Sequence, residues 1–270
     1  MPLPLSEIFP DEDYRFHLTL RKGDLAGFFG PADPCVVKER RRWLENDPSR
    51  YVVENEHAAP LLSEFEDFAR EKLGRMLSPV AGEVVLRRLV TLGQELEPDF
   101  VLLSNDEAGI FRVCAGAVCF PSSWALTEKL GRTLDEVHGI VPGLNHTLGS
   151  AISQFLQKLK PGTAYERSNW GLAATSELNM HPALARPRLS SSFDPAQIWV
   201  RIEDQILGDL AGTAGIVFGI RLRVLPLHQL LDDRVLRSGM HRAIETMPEA
   251  LAAYKGIVPI RGELLRACSK

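Results

Sequence analysis

The residues best equipped for chemistry fall in three short stretches of the chain. His138 closes the first, a segment from Arg132 to Val137 in which Leu134 and Val137 stand three apart, as on one side of a helix. Gly139 and Pro142 follow it and would stop such a helix. A histidine there can do two things. Protonated, it interacts favourably with the negative end of the helix. Neutral, it can donate to a metal while a free helix carbonyl orients its second nitrogen. Residue chemistry alone favours the first role. In the second stretch, alternation along a strand puts Arg167 and Asn169 on one face and Trp170 on the other. In the third, Arg201, Glu203 and Gln205 alternate in the same way, with Trp199, Val200, Ile202 and Ile206 expected opposite them. Such a polar row is either a solvated sheet face or one wall of a pocket.

The remaining histidines have less around them. His146 lies near the start of the next helix, where the dipole disfavours its protonated form. His181, in a Pro-rich loop, and His228, near a helix start, are expected to face solvent. His17, His57 and His241 carry no supporting context.

The elements that must position these groups can be read from spacing. Residues 1–36 are rich in Pro and Gly and read as an extended arm. A helix is expected from Val36 to Asp47, with Lys38 to Arg42 on its solvated side. Leu62, Phe65, Phe68, Ala69, Leu73 and Met76 mark a helix over Leu61–Leu77, and Ser78-Pro79 begins another that reaches about Leu92. From Asp99 the character changes. Phe100–Ser104, the turn Asn105–Gly109 and Ile110–Phe120 read as a hairpin. The stretch from Cys119 to Pro142 then makes two short helices, one carrying Trp124, Leu126 and Leu130 before Gly131, the other ending at His138. A longer helix follows over Leu144–Leu159, then strands over Arg167–Thr175, Gln197–Gln205 and Gly215–Val224, with a loop over Asn179–Ala196. Helices return at Asp233–Thr246 and Pro248–Tyr254.

A hairpin, a helical insert and three more strands are the order of a PAS-like domain, one antiparallel sheet with helices over one face and a concave pocket. The expected fold is therefore α+β: a PAS-like core over residues 99–225, an N-terminal arm with helices over 1–98, and a C-terminal helical extension over 226–270, forming one compact unit.

Bulk properties narrow the function. A hydrophobic content of 45% and a charged content of 24% match an ordinary globular protein, whose core at 270 residues needs no disulfide or metal to fold. A net charge of -4 argues against nucleic acid or a membrane surface as the main partner. No stretch resembles a signal peptide or a membrane span, which makes the cytoplasm the expected location. Cys35, Cys114, Cys119 and Cys268 form no C-x-x-C pair and are expected to be buried thiols, with Cys114 and Cys119 on opposite faces of one strand.

Seven runs, in order, resemble the haem subunit of the haem-dependent oxidative N-demethylases. They are Cys119-Phe-Pro-Ser-Ser-Trp124, Glu128-Lys-Leu-Gly131, Val137-His-Gly-Ile-Val-Pro142, Arg167-Ser-Asn-Trp170, Val200-Arg-Ile-Glu-Asp-Gln205, Ile216-Val-Phe-Gly-Ile-Arg221 and Tyr254-Lys-Gly256. The resemblance extends from about Phe9 to Gly256. It implies a PAS-like fold that binds haem b and oxidises a small methylated amine such as dimethylamine to the demethylated amine and formaldehyde. It also implies O2 as oxidant, and electrons from NADPH through a separate flavin and iron–sulfur reductase. With it, His138 becomes the candidate iron ligand. Arg167, Asn169, Trp170 and Arg201 become candidate haem contacts, Arg201 through a propionate or by holding Glu203. Glu203 becomes the catalytic-site carboxylate that binds the amine cation, an interaction worth roughly 1.5–3 kcal/mol in a shielded pocket. A sensor that binds haem or a small molecule without turnover is the alternative on the same fold. The chain departs from the family pattern at Asp204, at Ile206, and at Leu210-Ala-Gly-Thr-Ala-Gly215, which replaces a Leu-Pro. Those positions bear on substrate identity and partner docking.

Overall fold

Alternating apolar residues build the sheet and decide what covers it. The computed structural model describes residues 2–16, 20–74, 84–191 and 194–269. Within them seven strands form one sheet: β1 (Arg21–Gly23), β2 (Val52–Glu54), β3 (Asp99–Asn105), β4 (Phe111–Ala117), β5 (Ala164–Ala173), β6 (Trp199–Leu210) and β7 (Gly215–Pro226). Their order is β1-β5-β6-β7-β3-β4-β2, and every neighbouring pair is antiparallel. The fold is α+β, as expected. The hairpin, the helical insert and the three later strands occur in the expected order.

Helices cover both faces, not one. Phe100 and Leu102 of β3 pack with Leu44, Leu62, Phe65 and Leu92 of the N-terminal helices, whereas Val101 and Leu103 pack with Leu126 and Leu156 of the insert. Buried side chains alternate outward from both faces of this strand, so each face needs its own cover. Farther along the sheet, Trp170, Leu172, Val200 and Ile202 pack with Leu236, Met240, Ile244 and Leu264 of the C-terminal helices.

Several boundaries move. The arm contains helices at Leu5–Ile8 and Leu25–Phe29 and the edge strand β1; Asp24 starts the second helix by accepting from the N–H groups of Ala26 and Gly27. The next helix runs Pro34–Asn46 with Asp33 as its cap. In that helix Arg40, expected on a solvated face, is fully buried. The following helix runs Ala58–Leu73 and stops at Gly74, whose φ of 63° suits glycine. Met76 and Ser78-Pro79 lie outside the described residues, and the next described helix is Val85–Glu95.

In the insert, the helix expected around Trp124–Leu130 is only a 3-10 turn at Leu126–Glu128. Its chain is diverted into pairing with β4, through Gly131 N–H to the Val113 carbonyl at 2.8 Å and Val113 N–H to the Arg132 carbonyl at 3.0 Å. The helices Leu134–His138 and Leu144–Gln157 then form, followed after the sheet by Arg234–Thr246, Glu249–Tyr254 and Arg261–Cys268. Cys114 and Cys119 share one core cluster because β4 ends at Ala117, before Cys119. Burial pushes their thiols up to about 11 and about 12, which leaves them inert. Cys35, expected buried, is exposed. Among the described residues no helix is long and apolar enough to cross a membrane.

Candidate functional site

The pairing of β5 with β6 assembles the polar wall. Arg167 stands opposite Gln205, Asn169 opposite Glu203, and Gly171 opposite Arg201. All six sit at alternate positions, so they share the face that carries the insert. Trp199 shares that face too, two residues from Arg201, and was misassigned to the other side by sequence reasoning. Trp170 lies on the opposite face as expected, buried against Phe9 with ring centres 5.1 Å apart. Beside Gly171 an added Cβ would meet no atom within 4 Å, so the wall is open at that point. A cavity of about 330 Å³, lined by Phe155, Leu159 and Tyr165 among others, opens two residues along β5 from Arg167.

The charges on this wall are unequally satisfied. Arg201 is buried and committed: it donates to the carbonyls of Glu177 at 2.8 Å and Leu178 at 2.9 Å and approaches the Ser122 hydroxyl at 3.5 Å. Burial lowers its pKa to about 10, with Glu203 and Asp99 opposing. Its guanidinium straps the segment after β5 to the sheet and forms no ion pair with Glu203. The Glu203 carboxylate accepts from Gln205 Nε2 at 2.9 Å. Arg167 differs from both. It is half-buried, and among the described residues its guanidinium has no hydrogen bond or ion pair. Burial lowers its pKa, opposed by Glu203 and Tyr14. Asn169 is exposed on the open part of the wall.

His138 ends its short helix, which Thr133 and Glu136 start with a reciprocal capping box. Burial lowers its pKa and Arg167 lowers it further. A protonated ring serving the helix dipole is therefore disfavoured and the imidazole is neutral. Its Nδ1 is buried with no partner, so the helix carbonyls expected to orient it do not. Of the rivals, His57, His146 and His228 are exposed, His241 is half-buried beside Glu245, and His17 lies outside the described residues, whereas His181 shares with His138 a buried ring nitrogen, Nε2, that has no partner.

His181 contradicts its expected solvent exposure. Its backbone N–H donates to Asn179 Oδ1 at 3.0 Å, and Asn179 Nδ2 donates to Tyr51 Oη at 3.0 Å, which draws the loop into the core. Its Nδ1 accepts from Ala183 N–H at 3.2 Å, and its ring lies edge-on to Tyr51 at 5.6 Å.

Sequence reasoning gave no role to three groups near the wall. Lys255 donates to the Trp170 carbonyl at 2.6 Å and lies 5.3 Å over the Trp170 ring. Burial depresses its pKa to about 8, with Glu203 opposing and Arg167 adding to the shift. Lys129 is only 6% exposed. Burial raises the pKa of Tyr14, on the N-terminal arm, and the charge of Arg167 opposes that rise. Lys129 and Lys255 each stand in a run that carried the resemblance, and that was their only signal. The charge of Glu203 favours the charged forms of Arg167, Arg201 and Lys255.

The departures from the family pattern face elsewhere. Asp204 points away from the wall and accepts from Ser168 Oγ at 2.6 Å and from Arg223 Nε at 2.6 Å and Nη2 at 2.9 Å. Ile206 is core. The Leu210–Gly215 turn is held by Glu64, which accepts from Gly212 N–H and Thr213 Oγ1 at 2.7 Å each. None of these changes removes a group from the wall.

The family model described as haem-dependent oxidative N-demethylase, alpha subunit-like, matches residues 48–265. That span contains His138, the whole polar wall, Lys129 and Lys255. With most of the chain and all of this site inside the match, the protein belongs to the haem-dependent oxidative N-demethylase alpha subunit-like family, with the haem dependence and the partner subunit that its name conveys.

Proposed function

We propose that this protein is a haem-dependent oxidative N-demethylase that acts on a small, dimethylamine-like amine. The observation that carries the reading is the buried, partnerless Nδ1 of His138, whose protonated form is disfavoured by burial and by the charge of Arg167. The insert-covered face fits a haem: a neutral donor is what the iron needs, and an unpaired half-buried cation is what a haem carboxylate needs. His138 would hold the iron and Arg167 a carboxylate, while Gly171 keeps the wall open and Asn169 supplies an uncommitted amide. Haem b, supplied with O2 and with electrons from NADPH through a flavin and iron–sulfur reductase, provides the oxidising chemistry that converts the N-methyl group to formaldehyde.

The chain's own residues bind and orient. Glu203 accepts the amine N–H, and Gln205, donating to the same carboxylate, fixes its direction. Arg201 acts by positioning: it fixes the strap at Glu177 and Leu178 over the end of the wall. In this reading residues 99–225 are a PAS-like haem core, 1–98 and 226–270 pack around it, and the protein works in the cytoplasm.

The test is the absorption spectrum of the purified protein after haem addition. A ferric Soret band that shifts with dimethylamine, and formaldehyde release with a reductase, are expected. A protein that stays colourless overturns the reading. A coloured protein that never turns over amine is a sensor.

A further inference from the structure

Asn145 is the second residue of the helix Leu144–Gln157 and lies against the end of the short helix that His138 closes. The turn between them is tight: Val141 N–H donates to the His138 carbonyl at 2.9 Å, and Gly143, with a φ of 79°, precedes the second helix. Asn145 Nδ2 donates to the Asp135 carbonyl at 2.7 Å, one of the carbonyls that the end of the His138 helix leaves free. The same nitrogen would lie 3.9 Å from a Cβ added at Gly139, the residue after His138. With Nδ2 committed to that carbonyl, the amide orientation is fixed and Oδ1 is the group left over. Oδ1 is buried without a partner, and so is His138 Nδ1. One is an acceptor, the other is a donor in one tautomer of the ring, and both belong to the same corner of the insert. His138 Nε2 is not sealed in this way.

We infer that Asn145 is the positioning residue of His138: its Oδ1 accepts from Nδ1–H, so the imidazole keeps its proton on the sealed side and offers its lone pair at Nε2. The two atoms do not bond each other in this structure, and a rotation of the ring closes the gap. The bond satisfies two buried groups at once, which is why neither has another partner. The inference rests on the haem reading above for what Nε2 meets, and it adds the group that aims it. Asn145 thus has two tasks, holding the helix end through Nδ2 and the ring through Oδ1.

The first measurement needs neither haem nor a variant of Asn145. Long-range nitrogen–proton NMR on the full chain with isotope-labelled histidine, assigned with His138→Ala, reads which nitrogen of the neutral His138 ring carries the proton. Nδ1–H is expected, and Nε2–H overturns the inference. Two variants then separate orienting from capping. Asn145→Leu loses donor and acceptor, and the proton is expected to move to Nε2. Asn145→Asp keeps an acceptor and is expected to hold the proton on Nδ1. With ferrous haem, the iron–histidine stretching band in resonance Raman spectra is expected to rise in Asn145→Asp and to fall in Asn145→Leu. Asn145→Leu is also expected to weaken haem binding roughly ten- to a hundred-fold. A residue that only caps the helix would lower the melting temperature in both variants and leave tautomer and band unchanged, a result that overturns the inference while the haem reading stands. If the unsubstituted protein takes up no haem, the haem reading falls, and the tautomer still decides whether Asn145 orients the ring.

Discussion

Where the helix Pro34–Asn46 meets the start of β3, Arg40 and Asp99 are buried together and matched. Asp99 takes the Arg40 guanidinium and the N–H groups of Cys119 at 2.7 Å and Phe120 at 3.0 Å. Arg40 Nε donates to the Gly93 carbonyl at 3.0 Å, its guanidinium lies 5.6 Å from the centre of the Phe120 ring, and only Nη2 lacks a partner. On the insert side, His138 Nδ1 is buried without a partner, and half-buried Arg167 has no hydrogen bond or ion pair among the described residues. Both regions bury polar groups, but only the first answers its buried charge with partners from the protein itself. Buried charge that is matched within the protein serves the fold, and a buried polar atom left unmatched is a place where a ligand can bind.

Breaking the matched region should cost most. Asp99→Asn strands the Arg40 charge, so a loss of about 3–5 kcal/mol in chemical denaturation is expected, with the haem spectrum unchanged in the protein that remains folded. Arg201→Met removes two charge-assisted bonds to carbonyls and should cost about 1.5–3 kcal/mol. It should also speed proteolysis within residues 177–186, and unchanged cleavage there would remove the strap role.

Lys255 sharpens the comparison through pH. Its folded pKa is about 8 against an ordinary 10.5, so between those values the unfolded chain binds the extra proton. Stability contributed by this group should rise as pH climbs from 8 to 10.5, and Lys255→Met should flatten that rise in a pH series of melting temperatures. His138→Ala should have the smallest effect on stability, within about 1 kcal/mol for the haem-free protein, because it deletes an unpartnered ring. Its effect on colour should be total: an unchanged Soret band in that variant would move the iron to another residue.

How much of this was legible in the sequence depended on range. Alternation placed Arg167 and Asn169 opposite Trp170 correctly because a strand's period is local. It could not show that Asn169 faces Glu203, since the register joins strands separated by a long loop. The run Lys38–Arg42 looked like a solvated face because nothing nearby reveals that one guanidinium reaches a carboxylate 59 residues away. The burial of Lys129 was equally hidden, as was the inward turn of His181, which hangs on Tyr51 far earlier in the chain. The strand β2 was missed because three residues carry too little pattern.

The N-terminal arm ties these regions into a sequence of events. Leu3, Asp11 and Tyr14 bond to Arg223, Ser238 and Thr246, partners separated by 220, 227 and 232 positions. An added Cβ on Gly239 would lie 2.0 Å from the Phe9 carbonyl oxygen, so arm and helix meet backbone to backbone. Loops of that size close late in folding. During synthesis the helix Arg234–Thr246 must emerge before the arm has a surface to lie on. The first residues to be made are thus among the last to reach their final places, because the arm is held only once the chain has been made as far as Thr246.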